Sequence, residues 1–356
     1  MLPPTLAGMR NLLLALGLSL APVLAAEAQE PTEECRPLRE RMLKGHLFQV
    51  PILQQGALIT THVGVRTGVA RYDIPDVPVG DTRQRDTLLL GLQETLDVGL
   101  RLTDWLALTG FARGSTALGT TPPSLFVEGA TLDLIGQAGL VLRLLRNEPS
   151  GTQLSLRAAV GHDRGKTLTV LPFARAIVNN PLLTVDSVLD GNFRESLLVP
   201  ASETSAGGGA YLAQALGASF SLQASAAAEY AWQKREPFDV VAGARVEQDT
   251  YAVRVDLAAA LTADLRPGLG IPIAVMGEYL FRTGRQTSVY NPDRTLHSSS
   301  LALGVYYSGR QHLQFGVGAA TTLKSEPRRS QDSEGQMRES GEPTLSYAQL
   351  ILRYIF

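Results

Sequence analysis

The stretch LSYAQLILRYIF, which runs from Leu345 to Phe356, decides how the rest of the sequence is interpreted. Alternate residues sort into an apolar face that ends on Tyr354 and Phe356 and a second face that carries Gln349 and Arg353. Successive side chains of a β-strand point to opposite faces. The stretch therefore predicts a strand with one apolar and one more polar face.

The same alternation recurs upstream. It is clearest in TLLLGLQETLDVGLRLT at 87–103, TLDLIGQAGLVLRLL at 131–145, FSLQASAAAEYAWQ at 220–233 and YAVRVDLAAAL at 251–261. Strands of soluble proteins usually run about 5 or 6 residues, whereas a tilted strand needs roughly 9 to 11 to cross a bilayer. Because these segments alternate for about 10 to 15 residues, they favour membrane-spanning strands.

Short and long connections alternate along the chain. Tight turns are predicted at 103–104, 147–151, near Gly217, at 266–270 and at 308–311. Longer polar links are predicted at 73–86, 115–130, 164–203, 235–248, 284–298 and 325–343. Eleven connections give twelve strands with both ends on one side, which is the layout of a transmembrane barrel.

The predicted fold is therefore all-β: a transmembrane antiparallel up-and-down β-barrel of about 12 strands, with short periplasmic turns and longer external loops. A secreted β-sandwich is the alternative, but it rarely sustains strands of this length or so regular an asymmetry between links. The strands are expected near 57–72, 87–102, 105–114, 131–146, 153–163, 205–215, 220–234, 249–264, 271–283, 299–308, 312–324 and 344–356.

Composition limits the possible functions. Of 356 residues, 19% are charged and 44% are hydrophobic, and the mean hydropathy of +0.04 fits neither a disordered chain nor a bundle of membrane helices. A net charge of −2 gives no basic patch for nucleic acid. With no phosphate-binding loop or metal cluster in the sequence, we expect no cofactor and no metal.

The first residues have the layout of a secretory signal peptide. Arg10 precedes an apolar run that is too short for a spanning helix, and small residues near 26–28 supply a cleavage site. We therefore expect a signal peptide at 1–28, an N-terminal periplasmic segment or plug at 29–55, and the barrel at 56–356. The single cysteine, Cys35, leaves no partner for an intramolecular disulfide.

The final strand resembles that of Gram-negative outer-membrane β-barrel proteins of the porin-like kind, in which a terminal aromatic residue follows alternating apolar residues. The resemblance names no single family. It implies an outer-membrane location, contact with outer-membrane lipid, and Tyr354 and Phe356 as the signal read by periplasmic chaperones and the barrel-assembly machinery. The aromatic rings of Trp232, Tyr230, Tyr251, Tyr279 and Phe281 are expected to form a girdle at the external end.

Strand parity predicts which charged side chains face the interior. They are Arg66, Asp97, Arg101, Arg113, Asp133, Arg143, Arg157, Glu229, Arg254, Asp256, Glu278, Arg282 and Arg353. One interpretation is a narrow porin-like passage in which these groups bias small polar or anionic solutes. The other is a closed structural or adhesive barrel that works through its external loops, with the charges paired across a sealed lumen. The solute is not identified, and no enzyme activity is expected.

Three features fall outside this scheme. His297 and Ser299 share one face near the external rim and resemble the catalytic pair of outer-membrane phospholipase A, a twelve-stranded barrel, but Ser300 and Leu301 replace the asparagine and glycine of that family. Glu94 has lipid-facing parity, so we expect a bulge or a protein contact there. The long link at 164–203 could fold inward or stand outside.

Overall fold

The computed structural model describes residues 40–79, 83–120, 130–168, 198–236, 238–239, 244–288, 293–327, 329–331 and 337–356. The predicted signal peptide, Cys35 and most of the link at 164–203 lie outside these residues. Among the described residues, no helix is long and apolar enough to cross a membrane.

Twelve strands form a closed antiparallel barrel in which each strand pairs with its neighbours in sequence. They are β1 His62–Val79, β2 Arg83–Arg101, β3 Leu106–Gly119, β4 Ala130–Asn147, β5 Thr152–Leu168, β6 Leu198–Ala215, β7 Phe220–Arg235, β8 Gln248–Asp264, β9 Ile273–Ser288, β10 Arg294–Tyr307, β11 Leu313–Ser325 and β12 Thr344–Ile355. The predicted fold class and strand number are confirmed.

The barrel closes where β12 pairs with β1, from Thr344 opposite Asp73 to Ile355 opposite His62. Closure leaves no strand edge unpaired, which is the condition for a sheet in a medium that cannot hydrogen-bond its edges. The pairing at the closure is antiparallel and continuous. The stretch quoted first is therefore the strand that completes the barrel.

The outer surface is apolar, as the alternation predicts. Leu92, Leu134 and Val160 are 64%, 63% and 61% exposed, whereas inward neighbours such as Asp97 and Val141 are buried. A soluble barrel would place large apolar side chains inside, so this inverted pattern is the one that a lipid-facing wall requires.

The two ends of the barrel differ. At the end that we call the turn end, the links are 102–105, 148–151, 216–219, 265–272 and 308–312, and the fourth contains the helical turn Arg266–Leu269. At the other end, the loop end, two short antiparallel pairs, Phe238–Asp239 with Ala244–Arg245 and Arg329–Gln331 with Met337–Glu339, lie in two of the longer links.

Several predicted boundaries are wrong. The link expected at 73–86 is mostly strand, because β1 and β2 stay paired to Val79 opposite Arg83 after a bulge between Ile74 and Val77. The link expected at 284–298 likewise shrinks to the residues between Ser288 and Arg294. Where strands extend beyond the apolar belt they are polar on both faces. The apolar-polar alternation is lost there, so the sequence pattern does not distinguish such a strand from a loop.

The first strand also begins later than predicted, at His62 rather than at 57. Residues 57–61 instead lie inside the barrel, where Ala57 and Ile59 are buried. Gln153 Nε2 and Ser155 Oγ of β5 both donate to the carbonyl oxygen of Ala57, at 2.8 and 2.7 Å. The backbone of this short stretch is thus bound to an inward face rather than to a strand ladder.

Candidate functional site: a plugged, charged lumen

The interior of the barrel contains the segment at 40–61, which we call the plug. It begins with a two-residue hairpin in which Met42–Leu43 pairs with His46–Leu47, and the tight turn uses positive φ at Lys44 and Gly45. Six large apolar side chains of the plug are fully or almost fully buried: Leu43, Leu47, Phe48, Val50, Ile52 and Ile59. Each such side chain contributes about 1.5–3 kcal/mol through burial, so the plug is packed rather than merely tethered.

Polar side chains of the barrel wall bind the plug's backbone. The carboxylate of Glu278 accepts hydrogen bonds from the backbone N–H groups of Ile52 and Leu53, at 2.5 and 3.0 Å. On the neighbouring strand β10, the hydroxyl of Tyr306 donates to the carbonyl oxygen of Val50 at 2.7 Å. Glu278 is 2% exposed. It therefore holds the plug instead of lining open water.

Strand β7 binds the plug in the same way. Gln223 Nε2 donates to the carbonyl oxygen of Gln49 at 3.0 Å, and Ser225 Oγ donates to Oε1 of Gln54 at 2.7 Å. Because strands β5, β7, β9 and β10 all contribute, the plug is fixed from several sides of the lumen. Irregular backbone inside a barrel needs such partners, since no strand ladder satisfies its N–H and C=O groups.

A ring of charges surrounds the plug at the turn end. Glu40 forms an ion pair with Arg101, and Arg146 donates to the carbonyl oxygens of Glu40 and Met42, at 3.3 and 2.9 Å. Burial raises the pKa of Glu40, and the neighbouring Arg101, Arg143 and Arg146 oppose that rise. Arg101 and Arg143, which parity assigns to the interior, thus lie around the plug's entry.

Two basic plug residues are buried. Arg41 donates from Nε to the carbonyl oxygen of Phe48 at 3.0 Å and from Nη1 to that of Gln311 at 2.9 Å, and burial lowers its pKa to about 9. His46 Nδ1 lies 2.9 Å from the carbonyl oxygen of Ala218, in the turn between β6 and β7. Burial lowers the pKa of His46, which disfavours the protonated imidazole in the docked plug.

Beyond the plug, toward the loop end, lies a cavity of about 610 Å³, which we call the chamber. Plug residues between Phe48 and Thr60 form its floor, and inward side chains of the barrel form its wall. Within the described part of the chain, seven arginines and three carboxylates line it: Arg41, Arg66, Arg113, Arg157, Arg254, Arg282, Arg353, Asp97, Glu229 and Asp256. Because arginine stays protonated in proteins, the chamber carries excess positive charge.

Most of these arginines have carboxylate partners. Asp97 pairs with Arg353, lies 4.0 Å from Arg66 Nε, and lies 3.2 Å from His62 Nε2. Arg282 binds Asp256 through two hydrogen bonds of 2.7 Å. Buried or half-buried charges require such partners.

Arg254 is bound by two acidic residues. It makes two hydrogen bonds of 2.7 Å with Glu203 and one of 2.9 Å with Glu229. Glu203 is a residue that strand parity missed, because the predicted strand began at 205 and left it in a loop. Extending the alternation of β6 by one pair of residues would have predicted that Glu203 points inward.

Arg113 and Arg157 differ from the others. Within the described residues neither has a carboxylate within ion-pair distance, and the Nε of each is buried without a hydrogen-bond partner. Their guanidinium groups lie over aromatic rings instead, Arg113 over Phe111 at 5.4 Å and Arg157 over Tyr211 at 5.5 Å. The contact of Arg157 with the side-chain oxygen of Gln55, at 3.5 Å, is long. These two guanidinium groups thus line the chamber without a carboxylate partner among the described residues.

Comparison with known proteins bears on the barrel as a whole. No family model matches this chain. No curated protein matches it either. The closed twelve-strand barrel confirms the expected fold, and no family is assigned.

Three solved barrels are similar. An outer membrane channel from Pseudomonas putida F1 is 13% identical, covers 86% of this chain and 100% of that one, and has a TM-score of 0.48. The translocator domain of the autotransporter NalP from Neisseria meningitidis is 8% identical, covers 83% of this chain and 88% of that one, and has a TM-score of 0.47. The β domain of the Bordetella autotransporter BrkA is 14% identical, covers 83% of this chain and 100% of that one, and has a TM-score of 0.46. At these values the similarities carry no argument about function.

The predicted aromatic residues lie on the outer surface. At the turn end, the rings of Tyr354 and Phe356 contact each other edge to face at 5.0 Å, and His312 stacks on Tyr354 at 6.1 Å. Toward the loop end, Trp232 stacks on Tyr251 at 6.5 Å. Amphipathic rings at both ends of an apolar belt are typical of membrane interfaces.

The remaining predicted residues are also located. Asp133 points inward near the loop end of β4, opposite Gly165. His297 and Ser299 point outward, and His297 Nδ1 lies 3.3 Å from Thr283 Oγ1, with its ring edge to face on Phe281 at 4.9 Å. No hydrogen bond joins His297 to Ser299 in the described structure. Within the same residues, no group of three or more His, Cys, Asp or Glu side chains could hold a metal ion.

Proposed function

We propose that this protein is a channel of the Gram-negative outer membrane whose N-terminal segment closes the periplasmic half of the lumen. The chamber beyond the plug would receive small solutes from outside, with a preference for anions. One observation carries the proposal: a cavity of about 610 Å³ whose wall bears arginines in excess over carboxylates and whose floor is the plug.

The orientation follows from the two ends. The longer links support an orientation in which the loop end would face outside and the turn end, with Tyr354 and Phe356, would face the periplasm. The apolar belt would contact outer-membrane lipid, and Tyr354 and Phe356 would be read by the periplasmic chaperones and the barrel-assembly machinery. Delivery by a signal peptide at 1–28 fits the same route.

The preference for anions follows from Arg113 and Arg157. Paired arginines such as Arg254 and Arg282 already satisfy their charge on carboxylates of the wall. The two unpaired guanidinium groups have free N–H donors in a planar arrangement that suits carboxylate or phosphate oxygens. A small anion in the chamber would complete their hydrogen bonding, whereas a cation would not.

The plug would act as the gate. Many of its contacts with the wall are hydrogen bonds between polar groups, which water can replace at a net cost of about 0.5–1.5 kcal/mol each. Its apolar residues, such as Phe48 and Ile52, oppose release because they are buried. Passage would therefore depend on displacement of the plug or of its upper part at 48–56.

Ion selectivity tests this proposal. The reversal potential of the reconstituted protein in a salt gradient should indicate anion preference, and Arg113→Gln with Arg157→Gln should reduce it toward neutrality. Arg285→Gln is the matched control, since Arg285 lies on the outer surface paired with Asp293. Conducting double variants with unchanged selectivity would refute the role of the two arginines.

A closed structural or adhesive barrel is the second candidate. The burial of Leu43, Phe48 and Ile59 in the plug favours it, because such packing seals the lumen at rest. A barrel of this kind would work through its loops and keep its binding activity after the chamber charges are neutralised. Neither candidate assigns catalysis to His297 and Ser299.

A further inference from the structure

The outward face of β5 changes abruptly from apolar to basic. Along this face Leu156, Ala158 and Val160 are followed by His162, Arg164 and Lys166 toward the loop end. All six are exposed. We call the last three the outer basic row.

The change occurs where aromatic residues mark the membrane boundary. His162 pairs across the sheet with Thr204, and Thr204 pairs with Trp232, the ring that stacks on Tyr251. Aromatic girdles of membrane barrels lie at the interface between acyl chains and headgroups. Because a strand rises about 3.4 Å per residue, Arg164 and Lys166 lie roughly 7 and 14 Å farther along the strand, toward the headgroups.

No carboxylate neutralises this row among the described residues. The outward neighbours of Arg164 are Leu134 on β4 and Ser202 on β6, and those of Lys166 are Leu132 and Pro200. The only described side-chain hydrogen bond of the row joins His162 Nδ1 to Thr204 Oγ1, at 3.0 Å.

Other basic groups on the outer surface of the loop end differ from this row. Lys234 pairs with Glu247 at 2.5 Å, and Arg285 pairs with Asp293. Lys324 has no described ion pair, but it stands alone at the end of β11. Within the part of the chain that the structure describes, two adjacent, uncompensated cations beside exposed leucines are thus found on β5.

We propose that the outer basic row binds the phosphate groups of a phosphorylated lipid in the outer leaflet. Leu132 and Leu134 would contact its acyl chains while Arg164 and Lys166 bind its headgroup oxygens, since a basic cluster beside an apolar surface matches both parts of such a lipid. The inference rests on the membrane location proposed above and not on solute passage, so a barrel that does not conduct would leave it intact.

The test uses the full-length protein in detergent, with bisphosphorylated lipid A as the probe and native mass spectrometry as the readout. Arg164→Gln with Lys166→Gln should weaken binding at least about tenfold, since each basic side chain near an anionic surface contributes about 1 kcal/mol. Lys324→Gln is the matched control and should bind within about twofold of the unsubstituted protein. Fully dephosphorylated lipid A should bind as weakly to the unsubstituted protein as the probe does to the double variant.

Three results would overturn the proposal. One is binding of the probe by the double variant as tightly as by the unsubstituted protein. Another is equal binding of the dephosphorylated lipid, which would mean that the contact is apolar only. The third is displacement of the probe by millimolar inorganic phosphate, which would identify a site for a soluble anion instead of a lipid. The melting temperature of each variant without lipid shows whether the barrel itself is intact.

Discussion

The carboxylate of Glu278, on the wall of the barrel, accepts a hydrogen bond of 2.5 Å from the backbone N–H of Ile52 in the plug. The same carboxylate accepts from Leu53, so one side chain satisfies two consecutive backbone donors. These bonds join a membrane-spanning strand to the segment that fills its lumen. They are the contacts whose loss should loosen the plug without changing the outer surface of the barrel.

Glu278→Ala should therefore make the plug more dynamic. Hydrogen bonds to a charged group contribute about 1.5–3 kcal/mol, and loss of the acceptor leaves two N–H groups unpaired. We expect amide hydrogen exchange at 48–56 to become about 100-fold faster, while exchange in the strands is unchanged. Glu94→Ala, which removes a carboxylate that does not touch the plug, should leave exchange at 48–56 as it is. Unaltered exchange in Glu278→Ala would show that packing alone retains the plug.

Removal of paired arginines should change selectivity toward cations. Arg254→Ala leaves Glu203 and Glu229 without their partner, and Arg282→Ala does the same to Asp256. The combined variant should pass cations more readily than the unsubstituted channel, as measured by reversal potential in a potassium chloride gradient. A shift toward anions, or none, would contradict the assignment of these carboxylates to the solute pathway.

Docking of the plug should weaken in mild acid. Burial holds the pKa of His46 below its ordinary value of 6.5, with Arg41 adding to this effect and the Ala218 carbonyl and Asp264 opposing it. A released plug binds a proton at His46 more readily than a docked one. Docking is therefore most favourable above about 6.5 and is lost progressively as the pH falls through that value.

The measurement is amide exchange at 48–56 between pH 7.5 and pH 5.5, corrected for intrinsic rates. His46→Asn keeps a donor for the Ala218 carbonyl but cannot titrate, so its plug should lose most of this pH dependence. Glu40 titrates in the opposite sense because burial raises its pKa, and it is present in both proteins. Equal pH dependence in the two would assign the effect to another group.

The lipid-facing carboxylate of Glu94 should cost stability. Glu94 is exposed midway along β2, where the hydroxyl of Thr67 donates a hydrogen bond of 3.0 Å to its carboxylate. Strand β2 pairs continuously with both neighbouring strands at this position, so the prediction of a bulge is wrong. Glu94→Gln keeps the acceptor and removes the charge. It should raise the free energy of unfolding in lipid vesicles by about 1 kcal/mol. As the control, Asp73→Asn, nearer the loop end, should change the free energy of unfolding by less than about 0.5 kcal/mol. A lower stability of Glu94→Gln would argue for a bound partner at this site.

The aromatic residue at position 356 should matter for assembly more than for stability. Phe356→Ala should slow insertion of the barrel in cells severalfold, as followed by heat-modifiable migration of pulse-labelled protein. Phe220→Ala removes an equally exposed ring at the same end of the barrel and should assemble normally. Slow assembly of both variants would point to a general interfacial effect rather than a terminal signal.

Strand parity predicts the barrel wall but does not predict the plug that the wall encloses. Alternating apolar residues, such as those from Leu132 to Leu144 in β4, predict the twelve strands and their outward faces, because lipid requires apolar outward side chains in every strand. The plug has no such period, since Val50 and Ile52 pack against one part of the wall and Ile59 packs against another. Ala57 and Ile59 mimic two alternating strand residues, and this is why the first strand was predicted to start too early.

Alternation also does not predict which side chains pair with each other inside the lumen. Parity predicts that Arg254 and Glu229 point inward, but only the register of β6, β7 and β8 brings Glu203 to Arg254. It likewise predicts that Glu278 points inward without showing that Ile52 is its partner. Side-chain pairing between strands depends on tilt and register, which alternation leaves free.

The measurement that tests the account most directly is the single-channel conductance of the purified protein and of the same protein without residues 40–56. The full chain should be closed for most of the recording, with brief steps. The shortened chain should give long-lived, anion-selective steps that grow with salt concentration. Identical conductance of the two proteins, or silence from a shortened chain shown to be folded, would contradict a lumen that is gated by its own N-terminal segment.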